Sequence, residues 1–203
     1  MTRKEEIIYA TLERASEYGL KAVSLSQIAD KIGIRKPSLY NHFKSKDEIV
    51  SAMYTFIREQ AQRNNNAPAD YGALFEGRSL EEILLFCLSG YARFLSDKNM
   101  MKFFRVLYSE RSTSPAAAQI MLDETERMTA SVRNLFYALV VHGKMKNEDV
   151  DTAALTYSMT VHSLVDRQMD IITAAKTDSS GITELSAEMK AFVVWFSRQM
   201  EVR

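Results

Sequence analysis

The chain has 203 residues, 46% of them hydrophobic, and with only 7 Gly and 3 Pro it is expected to be mostly helical and to form one large or two small domains. The single cysteine, Cys87, excludes an internal disulfide, and no apolar run reaches the roughly 18 residues that span a membrane, so a cytoplasmic protein is expected. The net charge is zero, but residues 1–46 hold nine Lys/Arg against five Asp/Glu, which indicates a basic head on an acidic body.

Helix starts in the first 50 residues are marked by capping boxes, in which two side chains three residues apart bond each other's backbone N–H. The three boxes are Thr2 with Glu5, Ser24 with Gln27, and Ser45 with Glu48. Gly19 and Gly33 are expected to end the first two helices, because glycine adopts the left-handed conformation of a helix end. Pro37 suits the first turn of a short third helix, where its missing N–H would have no partner anyway.

Residues 64–78 have turn composition and no periodicity, and they are expected to separate two domains. Beyond them, apolar spacing predicts five long helices, over residues 79–96, 98–110, 115–142, 148–174 and 183–200. A Ser/Gly/Asp-rich stretch at 177–181 separates the last two. The predicted fold is all-α, with a three-helix head at 1–46, a connecting helix at 47–63 and a larger body at 79–203.

Two short helices that meet at Gly33, the second opening with basic and small polar residues, predict a DNA-binding helix-turn-helix. In this motif the second helix enters the major groove N-terminus first, and its first residues reach base edges. Arginine and lysine donate to guanine acceptors, serine bonds to any base, and proline can contact a thymine methyl. The candidate base-contact residues are Arg35, Lys36, Pro37 and Ser38, with Tyr40, His42 and Lys46 as phosphate contacts. A plain helical bundle with a solvated basic face is the alternative.

The stretch from Ala15 to Glu48 contains Gly-Ile at 33–34, Leu-Tyr-x-His-Phe at 39–43 and Lys-Ser-Lys-Asp at 44–47, and it resembles the TetR family of bacterial regulators. The resemblance covers about residues 5–57. It implies about nine helices, a homodimer formed through the last two helices, double-stranded operator DNA as partner, and a small-molecule effector held in the C-terminal body. By family position it places base contacts at Arg35, Lys36, Pro37 and Ser38, and phosphate contacts at Ser24, Ser26, Tyr40, His42 and Lys46. Pro37 departs from the small residue of many members.

Aromatic and methionine side chains on the body helices can line a pocket for an unidentified, largely apolar effector. The candidates are Phe86, Tyr91, Phe94, Phe104, Tyr108, Met128 and His162, each with an ordinary core position as the alternative. His162 and Asp166 lie four residues apart on one helix face, but no further His or Cys stands at ligand spacing, so neither a metal nor a cofactor is expected. Cys87 has no cationic neighbour in sequence, which favours an inert buried thiol over a redox sensor.

The two amphipathic helices at the chain end predict a four-helix dimer interface. Its candidate residues are Tyr157, Val161, Val165, Met189, Phe192 and Phe196. No phosphate-binding glycine loop or nucleophile elbow is present, so an enzyme is not expected. We expect a transcription repressor that an apolar ligand releases from its operator. Three alternatives remain open: an activator, a regulator without a small-molecule ligand, and a helical carrier of apolar ligands.

Overall fold

The computed structural model describes residues 1–64, 71–175, 182 and 184–202, and these ranges contain α-helices and no β-strand. The all-α prediction is therefore confirmed. The helices are α1 Arg3–Tyr18, α2 Leu25–Lys31, α3 Lys36–Tyr40, α4 Lys46–Asn64, α5 Tyr71–Phe75, α6 Leu80–Leu95, α7 Lys98–Glu110, α8 Pro115–Val141, α9 Val150–Ala174 and α10 Ala187–Met200, with a 3₁₀ turn at Leu20–Ala22. Within the described part of the chain, no helix is both long and apolar enough to cross a membrane.

The helices form two compact units, and each is discontinuous in sequence. The first unit combines α1–α4 with α7 and with α8 as far as Met121; the second contains α5, α6, the rest of α8, α9 and α10. The first unit's residues, 1–66 and 97–121, include 15 Lys/Arg and 10 Asp/Glu, so the chain's positive charge is concentrated there. The expected body, 79–203, differs from the second unit because α7 groups with the head.

The core of the first unit is built on the apolar stripe of α1. Ile7 and Leu12 are fully buried, and α1 packs on both α4 and α7. α7 contributes a buried face at helical spacing that includes Phe103. The Phe103 ring contacts the Tyr54 ring of α4 edge-on, with 6.0 Å between centroids. Each large apolar side chain removed from water in this way contributes roughly 1.5–3 kcal/mol to folding. Helix α7 is therefore a structural part of the basic unit.

An aromatic cluster fills the second unit. Phe136 of α8, Tyr157 of α9 and Phe196 of α10 lie with ring centroids 5.1–5.5 Å apart, and all three side chains are buried. Five residues that were predicted to lie at the dimer interface are instead buried within a single chain. They are Tyr157, Val161, Val165, Met189 and Phe196. Helices of the same chain already fill the apolar face to which they belong, and of the six candidates Phe192 alone is partly exposed.

The division between the two units, after residue 66, falls within the expected boundary at 64–78, but Tyr71–Phe75 forms a helix where no periodicity was expected. Phe75 is buried and its ring contacts both Tyr71 and His142, while the Arg78 guanidinium donates to the Leu74 carbonyl. Two of these contacts are local and one, from His142, comes from a residue distant in sequence; together they stabilise a helix that the periodicity did not indicate. Residues 65–70 of the expected boundary and the expected separator at 177–181 lie outside the described residues.

Candidate nucleic-acid interface and ligand cleft

The helix-turn-helix is fixed by a local cap and a buried frame. The Ser24 hydroxyl accepts from the Gln27 N–H at 3.3 Å, and the Gln27 side-chain oxygen accepts from the Ser24 N–H at 2.8 Å. Gly33 then turns the chain with φ +68°, a conformation that suits glycine. Helix α3 has only five residues, too few to be stable alone, and the fully buried Leu39 anchors it. The unit's packing therefore sets the position of α3.

All four candidate base-contact residues are exposed at the start of α3. Arg35 is the residue before the first turn, and Lys36, Pro37 and Ser38 form that turn. Helix α3 packs on the unit through the buried Leu39, and the exposed side chains from Arg35 to Ser38 remain accessible to a partner. Two of these side chains carry permanent positive charge and one carries a hydroxyl, a combination suited to guanine and phosphate acceptors.

The candidate phosphate contacts differ in their solvent exposure and in the hydrogen bonds that they already make within the chain. Ser24, Ser26 and Tyr40 are exposed, with 48% of the Tyr40 surface accessible, whereas His42 is partly buried. The Lys46 ammonium donates to the Leu20 carbonyl at 2.6 Å, which joins the start of α4 to the 3₁₀ turn after α1. No local pattern indicates this bond, because its partners lie 26 residues apart.

A single carboxylate connects three helices of the first unit. Glu13 of α1 lies 2.9 Å from the Lys31 Nζ of α2 and 3.9 Å from the Lys102 Nζ of α7. The hydrogen bond from Lys31 lowers the pKa of Glu13, and the charge of Lys102 acts in the same direction. Glu13 is therefore ionised at neutral pH. This bridge was not predicted from the sequence, because its three residues lie on helices that only the fold brings together.

The second unit contains a narrow apolar cleft that leaves no room for a water molecule. It is lined by Leu88, Tyr91, Ala92, Leu95, Val165, Ile182, Leu185 and Met189. Tyr91 contributes apolar ring surface to this lining, which exposes no polar surface to the cleft. Burial raises the pKa of Tyr91 to about 12, and the negative charges of Asp166 and Glu124 contribute to the rise. The phenol stays protonated at neutral pH and can act as a hydrogen-bond donor or acceptor.

The predicted pocket residues are not brought together. Tyr91 lines the cleft and Phe94 stacks on it at 6.3 Å between centroids, but Phe86 is 48% exposed beneath the Arg78 guanidinium. Phe104 and Tyr108 belong to the first unit, and neither Met128 nor His162 lines the cleft. The aliphatic positions at 88, 92 and 95 of α6 were missed because the prediction weighted aromatic residues over the helical stripe.

His162 and Cys87, two side chains with reactive groups, both belong to the second unit. The His162 Nε2 lies 3.9 Å from the Asp166 carboxylate, one turn along α9, and no group of three metal-ligating residues occurs among the described positions. Burial raises the pKa of the Cys87 thiol, and the charge of Arg78 offsets this in part. Because the thiolate is the reactive form, Cys87 is a weak nucleophile at neutral pH.

Two family models match the chain. The model described as "Bacterial regulatory proteins, tetR family" matches residues 7–53, which include α2 and α3. The model of the "AefR-like transcriptional repressor, C-terminal domain" matches residues 82–187, more than half of the chain, including much of the cleft lining.

Similar proteins have been characterised in several bacteria. The HTH-type transcriptional repressor KstR2 of Mycolicibacterium smegmatis is 41% identical over 49 residues, which are 24% of this chain and 24% of that protein, so the match spans about a quarter of the relative. Tetracycline repressor protein class D of Escherichia coli is 29% identical over 170 residues, with 75% of this chain and 69% of that protein covered. A regulator structure from Mesorhizobium loti superposes over 100% of both chains with a TM-score of 0.70 at 22% identity.

Proposed function

This chain belongs to the TetR family of bacterial transcription regulators, and from that premise we propose that it is a homodimeric, cytoplasmic repressor that a small apolar effector releases from its operator. The observation that carries the proposal is the exposed row from Arg35 to Ser38, held over the buried Leu39 by the turn at Gly33. Base readout needs side chains in this arrangement at the start of a short helix supported from behind.

The mechanism of DNA recognition follows from the residue types. Lys36 and Arg35 donate to the O6 and N7 acceptors of guanine, and Ser38 bonds to a neighbouring base. Ser24, Ser26 and Tyr40, which are exposed around the same helix pair, donate to phosphate oxygens and fix the register on the duplex. Two copies related by two-fold symmetry read a pseudo-palindrome with half-sites about one helical turn or somewhat more apart.

Replacing one lysine tests base readout. We expect Lys36→Ala to weaken operator binding by roughly 1–3 kcal/mol and to relax the preference at one base pair. Lys98→Ala, which removes the same charge from the exposed first turn of α7, is the matched control and should retain the footprint. An unchanged footprint and affinity in Lys36→Ala would place the reading residues elsewhere.

Deleting the regulator distinguishes a repressor from an activator. Expression of a reporter gene behind the operator rises when a repressor is deleted and falls when an activator is deleted.

Exposed apolar residues on the last two helices support the homodimer. Leu155 and Met159 lie one turn apart on α9 and are 50% and 37% exposed, and Trp195 of α10 is 56% exposed. Large apolar side chains clustered on a surface mark interaction sites in soluble proteins. We propose that a second copy covers these residues, in place of the buried face predicted from the sequence.

The cleft size determines how an effector acts. Preformed ligand sites have roughly 300–1,000 Å³, whereas this cleft has no room even for a water molecule, so an effector must move the side chains that line it. A ligand that fits only the opened cleft shifts the population towards that state, and this differential affinity is the source of any effect on DNA binding. The wholly apolar lining surface favours an apolar effector.

Changing the cleft tests the effector proposal. Operator anisotropy is titrated with decyltrimethylammonium, decanoate and decanol, and we expect at least one to release the DNA. Tyr91→Ala should reduce sensitivity to that compound about tenfold, within the usual range of allosteric coupling, and leave ligand-free affinity intact. Phe86→Ala removes an exposed aromatic from the same helix and should respond like wild type. Equal loss of ligand-free binding in Tyr91→Ala would assign that residue to the structural core.

A further inference from the structure

The cleft lies next to the start of α7 along the chain. Four of its eight lining residues are on α6, and one of these, Leu95, is the last residue of that helix. α7 begins at Lys98, so only Ser96 and Asp97 separate the two helices. Asp97 caps α7 by accepting from the backbone N–H groups of its first turn at 2.9 Å. The end of α6 and the first turn of α7 are therefore joined by a covalent link of two residues.

Helix α7 is built into the DNA-reading unit. Phe103, Val106 and Leu107 are buried, and α7 packs on both α1 and α4. The route from α6 to α4 is longer: residues 65–79 separate the two helices, and α5 is among them. α7 is thus the shorter covalent connection from the cleft to the packed interior of the first unit.

One carboxylate continues this connection to the helix-turn-helix. On the α7 side, Lys102 lies with its Nζ 3.9 Å from the Glu13 Oε1. On the other side, Lys31 of α2 lies with its Nζ 2.9 Å from the Glu13 Oε2. The two oxygens of Glu13 therefore face cations on two different helices, and α2 is the first helix of the reading motif. The hydrogen bond from Lys31 lowers the pKa of Glu13, so the carboxylate stays ionised further into the acid range than an ordinary glutamate.

We propose that effector binding is transmitted to the reading head through α7 and the Lys102–Glu13–Lys31 bridge, with Glu13 and Lys102 as positioning residues that act through α2. The proposal rests on the proposed function. It differs from a route through α4, the helix that begins at the candidate phosphate-contact residue Lys46, because that route does not use the bridge.

A cleft-filling variant serves as the test, since it needs no identified effector. Ala92 is 5% exposed in the cleft, and Ala92→Phe adds a ring where an effector would enter. We expect it to weaken operator binding about tenfold, a typical allosteric coupling. In a Lys102→Ala background the same substitution should weaken binding by about threefold or less, because the coupling is cut. Lys102→Arg should restore the tenfold effect, and Lys98→Ala, on the same helix, should preserve it.

The single variants separate signalling from folding. Ion pairs that remain partly accessible to solvent contribute little stability. Lys102→Ala alone should therefore melt close to the wild-type temperature and bind the operator with an affinity within about twofold of wild type. An equal effect of Ala92→Phe in both backgrounds, or none in a folded single variant, overturns the proposal. If Ala92→Phe misfolds, Leu185→Trp fills the loop side of the same cleft and is judged by the same criteria. Failure of wild type to bind any operator would instead refute the proposed function.

Discussion

Phe196 is the residue whose replacement most directly tests the core of the second unit. Its ring centroid lies 5.1 Å from Tyr157, 5.5 Å from Phe136 and 5.9 Å from Phe192, and 4% of its surface is exposed. Phe196→Ala should lower the free energy of unfolding by about 3–5 kcal/mol, through lost burial and the cavity left behind. For a chain of this length the melting temperature should fall by about 6–20 °C, measured by far-UV circular dichroism.

The neighbouring residue supplies the control. Trp195 is 56% exposed, so Trp195→Ala should leave the core intact and weaken the dimer, as sedimentation equilibrium would detect. Dissociation lowers the melting temperature by mass action, so its effect depends on protomer concentration, whereas the Phe196→Ala loss should be similar at two concentrations. A Phe196→Ala melt within about 2 °C of wild type would refute the core assignment. A Trp195→Ala protein with unchanged dimer affinity would refute the interface.

Two further substitutions test the first unit. Gly33→Ala adds a Cβ with nothing within 4 Å, so its cost is the strain of φ +68°, about 1–2 kcal/mol, and we expect a lower melting temperature and weaker operator binding; equality with wild type in both would contradict this. The buried Tyr54 hydroxyl has no hydrogen-bond partner among the described residues, so Tyr54→Phe should be at least as stable as wild type. Burial and the charge of Glu110 raise the pKa of Tyr54 from 10.0 to about 12. Because the tyrosine ionises at a lower pH in the unfolded chain, wild type should lose stability as the pH rises between those two values. Tyr54→Phe should lose less stability over this range, and the control Tyr18→Phe, at an exposed site, should lose as much as wild type.

Features that depend on residues a few positions apart were predictable from the sequence. The predicted capping boxes at Thr2 and Ser24 occur with both hydrogen bonds, and a further complete box begins α6 at Ser79. At the start of α4 the box is half correct: the Ser45 hydroxyl accepts from the Glu48 N–H, but the Glu48 carboxylate bonds the Lys44 N–H. Local hydrogen bonding and apolar periodicity were sufficient to place the long helices and the reading motif.

Features that depend on distant partners were not predictable. An amphipathic face indicates that a helix is buried without indicating against what, so the stripe through Tyr157 was assigned to a second copy, although Phe136 and Phe196 of the same chain cover it. Helix α5 and the Lys46 bond to Leu20 are likewise held by residues that only the fold brings near. The cleft could be located only once α6, α9 and α10 were positioned.

The discontinuity of the first unit constrains the recombination of regulators. A chimera joined at the end of α4 would transfer the reading head without α7, and would expose the apolar side of α1 and the ring of Tyr54 that Phe103 covers. Its Glu13 would retain Lys31 but lose Lys102 unless the acceptor body supplied an equivalent residue. A functional exchange of sensor and operator specificity must therefore carry residues 97–121 with the head, or match α7 to the α1 that it receives.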